Sequence, residues 1–132
     1  MARYVVDTHA LIWFLAKNQT LGGNARRALN DPRSELILPA IALAEALWIL
    51  STRKLGVAPG ELLQAIDADP RITVYPLTRE LVEVAQATDS VAEMHDRQIV
   101  ATALHLSSDS EQCPILTCDE SITTSGVVTI VW

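Results

Sequence analysis

Several residue types are scarce in this chain, and each scarcity disfavours a class of protein. Only two of the 132 residues are cysteines, Cys113 and Cys118. Their spacing matches neither CxxC nor a Cys/His zinc pattern, so we predict two free thiols. No apolar run reaches the roughly 20 residues that cross a bilayer. Asp7 and His9 interrupt the first residues, where a signal peptide needs an unbroken apolar stretch. We expect a cytoplasmic protein without a membrane segment.

Positive charge is scarce as well. The chain has 10 Lys and Arg against 16 Asp and Glu, which gives a formal net charge of −6. This balance disfavours a general nucleic-acid-binding protein, since such proteins are usually basic. It does not disfavour a nuclease, because bound cations reverse the field of an acidic active site. Hydrophobic residues make up 49% of the chain, and we expect one domain over residues 1–132 with its own core.

Short β-rich runs alternate with helical segments along the chain. We predict strands over residues 3–6, 35–38, 72–75, 115–118 and 127–131. We predict helices over residues 9–17, 24–30, 39–54, 59–68 and 79–88 and within 94–107. Pro39 and Pro59 suit the first turn of a helix, and Thr78 suits a helix cap. The alternation predicts an α/β fold with a mostly parallel sheet, whose ligands bind beyond the carboxyl ends of the strands.

Four carboxylates stand at positions that a solvated surface does not explain. Asp7 and Asp119 follow the first and fourth predicted strands, on the edge where such sheets bind ligands. Glu45 is the one charged residue between positions 36 and 50. Asp96 shares the core-facing side of its helix with the apolar residues three, four and seven positions later. We expect these four side chains to converge.

Each carboxylate also has a structural alternative. Asp7 and Asp119 could be turn residues or helix caps, and Asp96 could cap its own helix. Glu45 could pair with an arginine, either Arg53 or Arg97.

Taken together, the four acids favour a metal site. Four converging carboxylates cannot all stay ionised without cations. Mg²⁺ and Mn²⁺ suit carboxylate and water ligands. The pattern therefore predicts metal-assisted hydrolysis of phosphodiester bonds.

These acids lie in four motifs: VVDTHALIWFLA, AEALWI, HDRQIVATAL and LTCDESI. Their order and spacing resemble the PIN domain family and, within it, the VapC toxins of toxin–antitoxin pairs. The resemblance implies a three-layer α/β/α sandwich with a mostly parallel five-stranded sheet. It also implies a Mg²⁺- or Mn²⁺-dependent endoribonuclease that forms homodimers and is held inactive by an antitoxin. The residues that match the family's acidic quartet and its neighbouring hydroxyl positions are Asp7, Glu45, Asp96, Asp119, Thr8 and Thr117.

Other interpretations stay open at this stage. The runner-up is a binding module that does not cleave RNA and whose acidic pocket receives a basic segment of a partner. A DNA or flap-type nuclease is disfavoured because the chain has no obvious arch for threading a strand. Trp13, Phe14 and Trp48 could line an apolar groove for a partner, although core packing is the alternative. Arg97, beside Asp96, is the best candidate for an RNA contact.

Overall fold

The computed structural model describes residues 2–132 as alternating strands and helices. Strands β1 to β5 span Arg3–Val6, Glu35–Pro39, Ile72–Tyr75, Ile115–Leu116 and Ile130–Val131. Helices α1 to α7 span Thr8–Leu15, Gly23–Asn30, Ala40–Thr52, Pro59–Ala68, Arg79–Ala87, Met94–Leu106 and Glu120–Ser125. Among these described residues, every helix is too short or too polar to cross a bilayer.

The five strands form one parallel sheet in the order β3-β2-β1-β4-β5. The predicted α/β fold is therefore confirmed. From β1 the chain moves outward to β2 and β3, and it then places β4 and β5 on the other side of β1. Strand order thus reverses between β1 and β4, which are in register at Val6 and Leu116. Ligands of open α/β sheets bind at the carboxyl ends of the strands beside such a reversal.

The apolar runs of the sequence form the core of this sheet and of the helices against it. Val5, Val6, Leu36 and Leu38, from β1 and β2, are almost fully buried, as expected for central parallel strands. Helix α3 buries residues 42, 46, 49 and 50, which share one face because they recur at helical spacing. The core thereby fixes the positions of β1 and α3, each of which leads to a candidate acid.

Several strands and helices begin or end at residues other than those predicted. Pro39 is the last residue of β2 and the N-cap of α3, rather than a first-turn residue. Strand β4 ends at Leu116 instead of residue 118, and β5 pairs with it at only two positions, so β5 is shorter than predicted. Helix α7 was not predicted at all. The two cysteines are free thiols, as predicted, with Cys113 buried and Cys118 exposed.

Candidate active site

Asp7 links the first strand to the first helix. It follows β1 directly, and its Oδ1 accepts a hydrogen bond from the Thr8 backbone N–H at 2.7 Å, so it caps α1. Its Oδ2 accepts a hydrogen bond from the Thr117 hydroxyl at 2.5 Å. Its own backbone N–H donates to the Leu116 carbonyl at 3.2 Å. The capping alternative is correct for Asp7, yet the cap also fixes a carboxylate at the point where strand order reverses.

Burial makes the charge of Asp7 costly. The residue is only 8% exposed, and this desolvation raises its pKa. Hydrogen bonds from Thr117 and Thr8 and the charge of His9 oppose the rise, while Asp119 adds to it. The net effect is a pKa above the ordinary value, because the nearby hydroxyl and N–H donors only partly replace water.

Thr117 connects Asp7 to the second strand-end acid. It comes directly after β4, it is buried, and its hydroxyl oxygen accepts a hydrogen bond from the Asp119 backbone N–H at 3.0 Å. Asp119 in turn caps α7, because its Oδ1 accepts from the Ile122 backbone N–H at 3.0 Å. One threonine therefore contacts one candidate acid through its proton and the next through its oxygen.

Glu45 reaches the same edge from α3. Its Oε1 accepts a hydrogen bond from the Thr8 hydroxyl at 2.7 Å. Helix α1 packs against α3, and this contact brings together residues that are 37 positions apart in the sequence. Among residues 2–132, neither Arg53 nor Arg97 forms an ion pair with Glu45, so that alternative is wrong. The partner of Glu45 is a neutral hydroxyl, which orients the carboxylate without neutralising it.

Asp96 lies in the first turn of α6, but it does not cap that helix. The N-cap is Glu93, whose Oε2 accepts a hydrogen bond from the Asp96 backbone N–H at 2.9 Å. The other oxygen of Glu93 contacts His95 Nδ1 at 2.7 Å. The capping alternative for Asp96 is therefore wrong. Its carboxyl group is half-buried and has no capping role to explain it.

The pKa of Asp96 shows that these acids share one electrostatic environment. Burial raises that pKa first, and the charges of Asp119, Asp7, Glu93 and Glu45 raise it further, to about 7. All three of the other candidate acids thus act on Asp96. The described part of the chain contains no Lys or Arg that forms an ion pair with any of the four. Within the described residues, the charge that opposes these carboxylates is that of His9, which acts on Asp7.

This donor set fits a hydrated divalent ion. Every candidate ligand is a carboxylate oxygen, the type of ligand that Mg²⁺ and Mn²⁺ prefer. Within residues 2–132, no three His, Cys, Asp or Glu side chains form a ready-made cage. Mg²⁺ does not require one, because it usually keeps several waters and binds one or two carboxylates together with substrate phosphates. The residues therefore fit an ion held partly through water.

Two open clefts flank the acids. One has a volume of about 350 Å³ and is lined by Ile41, Ala44, Glu45, Trp48 and His95. The other is lined by Asp7 and Asp119 together with aromatic side chains and Cys118. A third, more enclosed cavity has apolar walls and a single carboxylate, Asp69, which an arginine already pairs. The first two clefts therefore contain three of the four candidate acids, and Asp96 lines neither of them.

The aromatic residues proposed to form one groove separate in the structure. Trp13 and Phe14 are partly buried against the core, whereas Trp48 is 62% exposed. The Arg97 guanidinium donates a hydrogen bond to the Val91 carbonyl, so one of its donors already has a partner within the chain. Of the apolar groove proposed for a partner, only Trp48 and its neighbours in the Glu45 cleft remain as candidates.

The chain matches the PIN domain family over residues 4–124, and it therefore belongs to that family, which is a family of nucleases. The family prediction from the sequence motifs is confirmed. No curated protein sequence matches the chain significantly.

Solved structures share the fold. VapC20 of Mycobacterium tuberculosis, described as a toxin that cleaves the sarcin-ricin loop, is 18% identical with a TM-score of 0.71, over 98% of this chain and 99% of that one. FitAcB from Neisseria gonorrhoeae is 18% identical with a TM-score of 0.69, over 96% and 95%. VapBC2 from Rickettsia felis, bound to a DNA fragment from its promoter, is 11% identical with a TM-score of 0.68, over 97% and 96%. At these identities the likeness establishes the shared fold.

Proposed function

We propose that this chain is a single PIN-like domain that acts in the cytoplasm as a Mg²⁺- or Mn²⁺-dependent endoribonuclease, hydrolysing RNA phosphodiester bonds. The observation that carries the proposal is the hydrogen-bonded arrangement in which Thr117 connects Asp7 with Asp119 and Thr8 orients Glu45. The raised pKa of Asp96, caused by burial and by the neighbouring acids, supports it. Such an acidic site suits an enzyme whose cation binds together with the substrate. The residues assigned to metal binding and catalysis are Asp7, Glu45, Asp96 and Asp119.

When bound, a divalent ion supplies a Lewis acid that lowers the pKa of the attacking water and neutralises the phosphate. The protein's own part is to hold the carboxylates ready. Thr117 fixes Asp7 and Asp119 relative to each other, and Thr8 fixes Glu45. Such supporting hydrogen bonds set the orientation of metal-binding oxygens. We therefore assign Thr8 and Thr117 to positioning the acids.

We further propose that the chain is the toxin of a type II toxin–antitoxin pair, that it forms homodimers and that an antitoxin holds it inactive. Support comes from the shared fold with FitAcB, VapBC2 and VapC20. The surface beside the acids adds to this support, since Trp48 and Met94 are 62% and 58% exposed. Contiguous exposed apolar side chains mark protein-binding surfaces, and we propose that these two side chains belong to such a patch.

The experiment that tests the nuclease proposal is cleavage of a mixed, labelled RNA pool by the purified protein. EDTA, Mg²⁺ and Mn²⁺ are compared, with Asp7→Asn as the inactive variant and Asp69→Asn as its matched control. We expect cleavage that requires Mg²⁺ or Mn²⁺, is lost in Asp7→Asn and persists in Asp69→Asn. Absence of both cleavage and metal binding would overturn the proposal in favour of a binding module that receives a basic partner segment.

A further inference from the structure

The cleft that contains Asp7 and Asp119 has a wall of aromatic rings. His9, Trp13 and Trp132 line it together with the two acids. The rings of His9 and Trp13 lie 5.4 Å apart between centroids at an interplanar angle of 49°. The rings of Trp13 and Trp132 lie 5.8 Å apart, edge to face. We call these three rings the aromatic wall.

The fold ties this wall to the acids. His9 and Trp13 are one helical turn apart on α1, so they lie on the same face of that helix. Asp7 caps the same helix, which places the acid and the two rings on one rigid element. Trp132 follows β5 and packs so closely on Gly22 that a Cβ added at Gly22 would clash with the backbone and the indole of Trp132. The wall is therefore held from two directions.

Core packing explains only part of the wall. Trp13 and Trp132 are partly buried and contact the hydrophobic core. His9 is exposed, and yet its ring lies against Trp13 at the mouth of the cleft. A solvated histidine needs no aromatic neighbour for the stability of the fold. All three residues also line the cleft, so part of the wall faces the cleft and the rest packs against the protein.

The chemistry of the cleft selects the kind of group that can occupy it. Both Asp7 oxygens and one Asp119 oxygen already accept hydrogen bonds from within the chain. Phosphates are repelled by these acids unless a cation intervenes, whereas a nucleobase is neutral and planar and stacks on aromatic side chains. The cleft has a volume of about 160 Å³, and a cavity of roughly 150 Å³ takes up a benzene ring. A six-membered ring such as that of a pyrimidine therefore fits.

We propose that the aromatic wall stacks the base of an unpaired nucleotide next to the phosphate that is cut. The inference rests on the proposed endoribonuclease function and adds to it a subsite for one base. Bases within a duplex are stacked on one another and cannot reach such a wall, whereas bases in loops and ends can be splayed out onto aromatic rings.

The test measures RNA binding separately from cleavage. The protein carries Trp48→Phe, so that Trp13 and Trp132 report binding by fluorescence quenching, and Ca²⁺ replaces Mg²⁺ while gels verify that the RNA stays intact. The probes are a short single-stranded RNA, the same RNA with abasic nucleotides, and its duplex. His9→Ala is compared with His9→Phe, because both remove the histidine charge and only the second keeps a ring.

We expect the single strand to bind the parent about tenfold more tightly than the abasic RNA, the scale of one stacked base. His9→Ala loses that preference and His9→Phe keeps it, while the duplex binds as weakly as the abasic RNA. Equal affinity for normal and abasic RNA would overturn the inference. An arginine-containing peptide that binds more tightly than RNA, with the same dependence on His9, would also overturn it, because a protein would then be the occupant.

The two proposals fail in different ways. In one outcome, metal-dependent cleavage is equally efficient in the parent and in His9→Ala, and normal RNA is not preferred over abasic RNA. That outcome would overturn the stacking inference and leave the endoribonuclease proposal unaffected. Base-dependent binding without any cleavage in Mg²⁺ or Mn²⁺ would overturn the endoribonuclease and support the stacking surface.

Discussion

Two sets of aspartates in this chain have pKa values that are shifted in opposite directions. At the turn before β3, Arg71 donates to both oxygens of Asp69, at 3.0 Å from Nε and 2.8 Å from Nη2. These hydrogen bonds lower the pKa of Asp69, and Arg33 does the same for Asp31. At the acidic edge of the sheet, burial and neighbouring acids instead raise the pKa of Asp96. All of these residues are aspartates, and the neighbouring groups determine whether the pKa is lowered or raised.

The difference indicates where each charge is balanced. Asp31 and Asp69 each have an arginine two residues later, so the chain itself supplies the cation. In the candidate site, Glu45 and Asp7 accept hydrogen bonds from threonine hydroxyls instead. A hydroxyl orients a carboxylate but leaves its charge uncompensated. We infer that the cation of the site comes from outside the chain.

The largest expected effect comes from removing a charge at the site. Asp7→Asn or Asp96→Asn should lower RNA cleavage by roughly a hundredfold or more, the scale on which loss of one preorganised electrostatic group slows an enzyme. The free energy of unfolding of the metal-free protein should not fall, because each variant removes a repelled and desolvated charge. Cleavage assays and urea denaturation in EDTA measure the two quantities.

Asp69→Asn is the matched control for that pair. It should leave cleavage unchanged and destabilise the fold by about 1 kcal/mol, because it weakens a partly exposed ion pair. If Asp69→Asn abolished cleavage or Asp96→Asn did not affect it, the distinction between the two sets of aspartates would be wrong.

A smaller effect is expected from Thr117→Val, which keeps the shape of the side chain and removes its hydroxyl. Asp7 then loses its hydrogen bond at 2.5 Å, and the Asp119 backbone N–H loses its acceptor. Loss of such a supporting contact typically costs 10- to 100-fold in metal affinity or activity, so we expect roughly that decrease. Metal-dependent cleavage rates measure it, and Thr117→Ser, which keeps the hydroxyl, should retain activity.

The two sets should also give opposite pH dependences of stability. The pKa of Asp96 is about 7 in the folded protein against an ordinary value of 3.8. The folded state therefore binds the extra proton between these values, and the free energy of unfolding should decrease as pH rises from about 4 to about 7. The contribution of Asp69, whose pKa is lowered, is present above its ordinary pKa and is lost as pH falls through its folded value.

Urea denaturation of the metal-free protein across this pH range checks the prediction. Asp96→Asn should flatten the decrease between pH 4 and pH 7, and saturating Mg²⁺ should reduce it, because a ligand of the folded state stabilises that state. A parent protein that becomes more stable over the same interval in EDTA would contradict the raised pKa of Asp96.

An effect on stability without an effect on cleavage is expected for the arginine-paired set. Arg71→Lys keeps the charge but loses the two-pronged contact with Asp69, and it also weakens the hydrogen bonds from Arg71 to the Leu29 and Asp31 carbonyls at 2.8 Å. We expect a loss of about 2 kcal/mol in the free energy of unfolding, with unchanged cleavage per folded molecule. Thermal or urea unfolding measures the loss, and a drop in metal affinity would contradict the assigned structural role.

The positions of Asp7 and Asp119 could be predicted because an acid after an apolar run lies at the carboxyl end of a strand. The Thr78 cap, whose hydroxyl accepts from the Leu81 backbone N–H at 3.2 Å, was also predictable from local sequence. These features depend on neighbours along the chain, where residue type and hydrophobic spacing carry the information.

Features that depend on packing between distant elements could not be predicted. The Thr8 hydroxyl contacts Glu45 only because α1 packs against α3, and the sequence offered an arginine as the alternative to a metal. The Thr117 contact with Asp7 joins residues 110 positions apart, and it forms where β4 ends earlier than its apolar pattern indicates. The contact of Trp132 with Gly22 likewise joins residues that are far apart in the sequence.

The most direct test of the external cation is calorimetric titration of Mn²⁺ into the metal-free parent, Asp7→Asn, Asp96→Asn and Asp69→Asn at neutral pH. The account predicts that the parent and Asp69→Asn bind with the same affinity and that Asp7→Asn and Asp96→Asn bind far more weakly. Equal binding by all four proteins, or no binding by the parent, would contradict the claim that these unpaired carboxylates hold the ion.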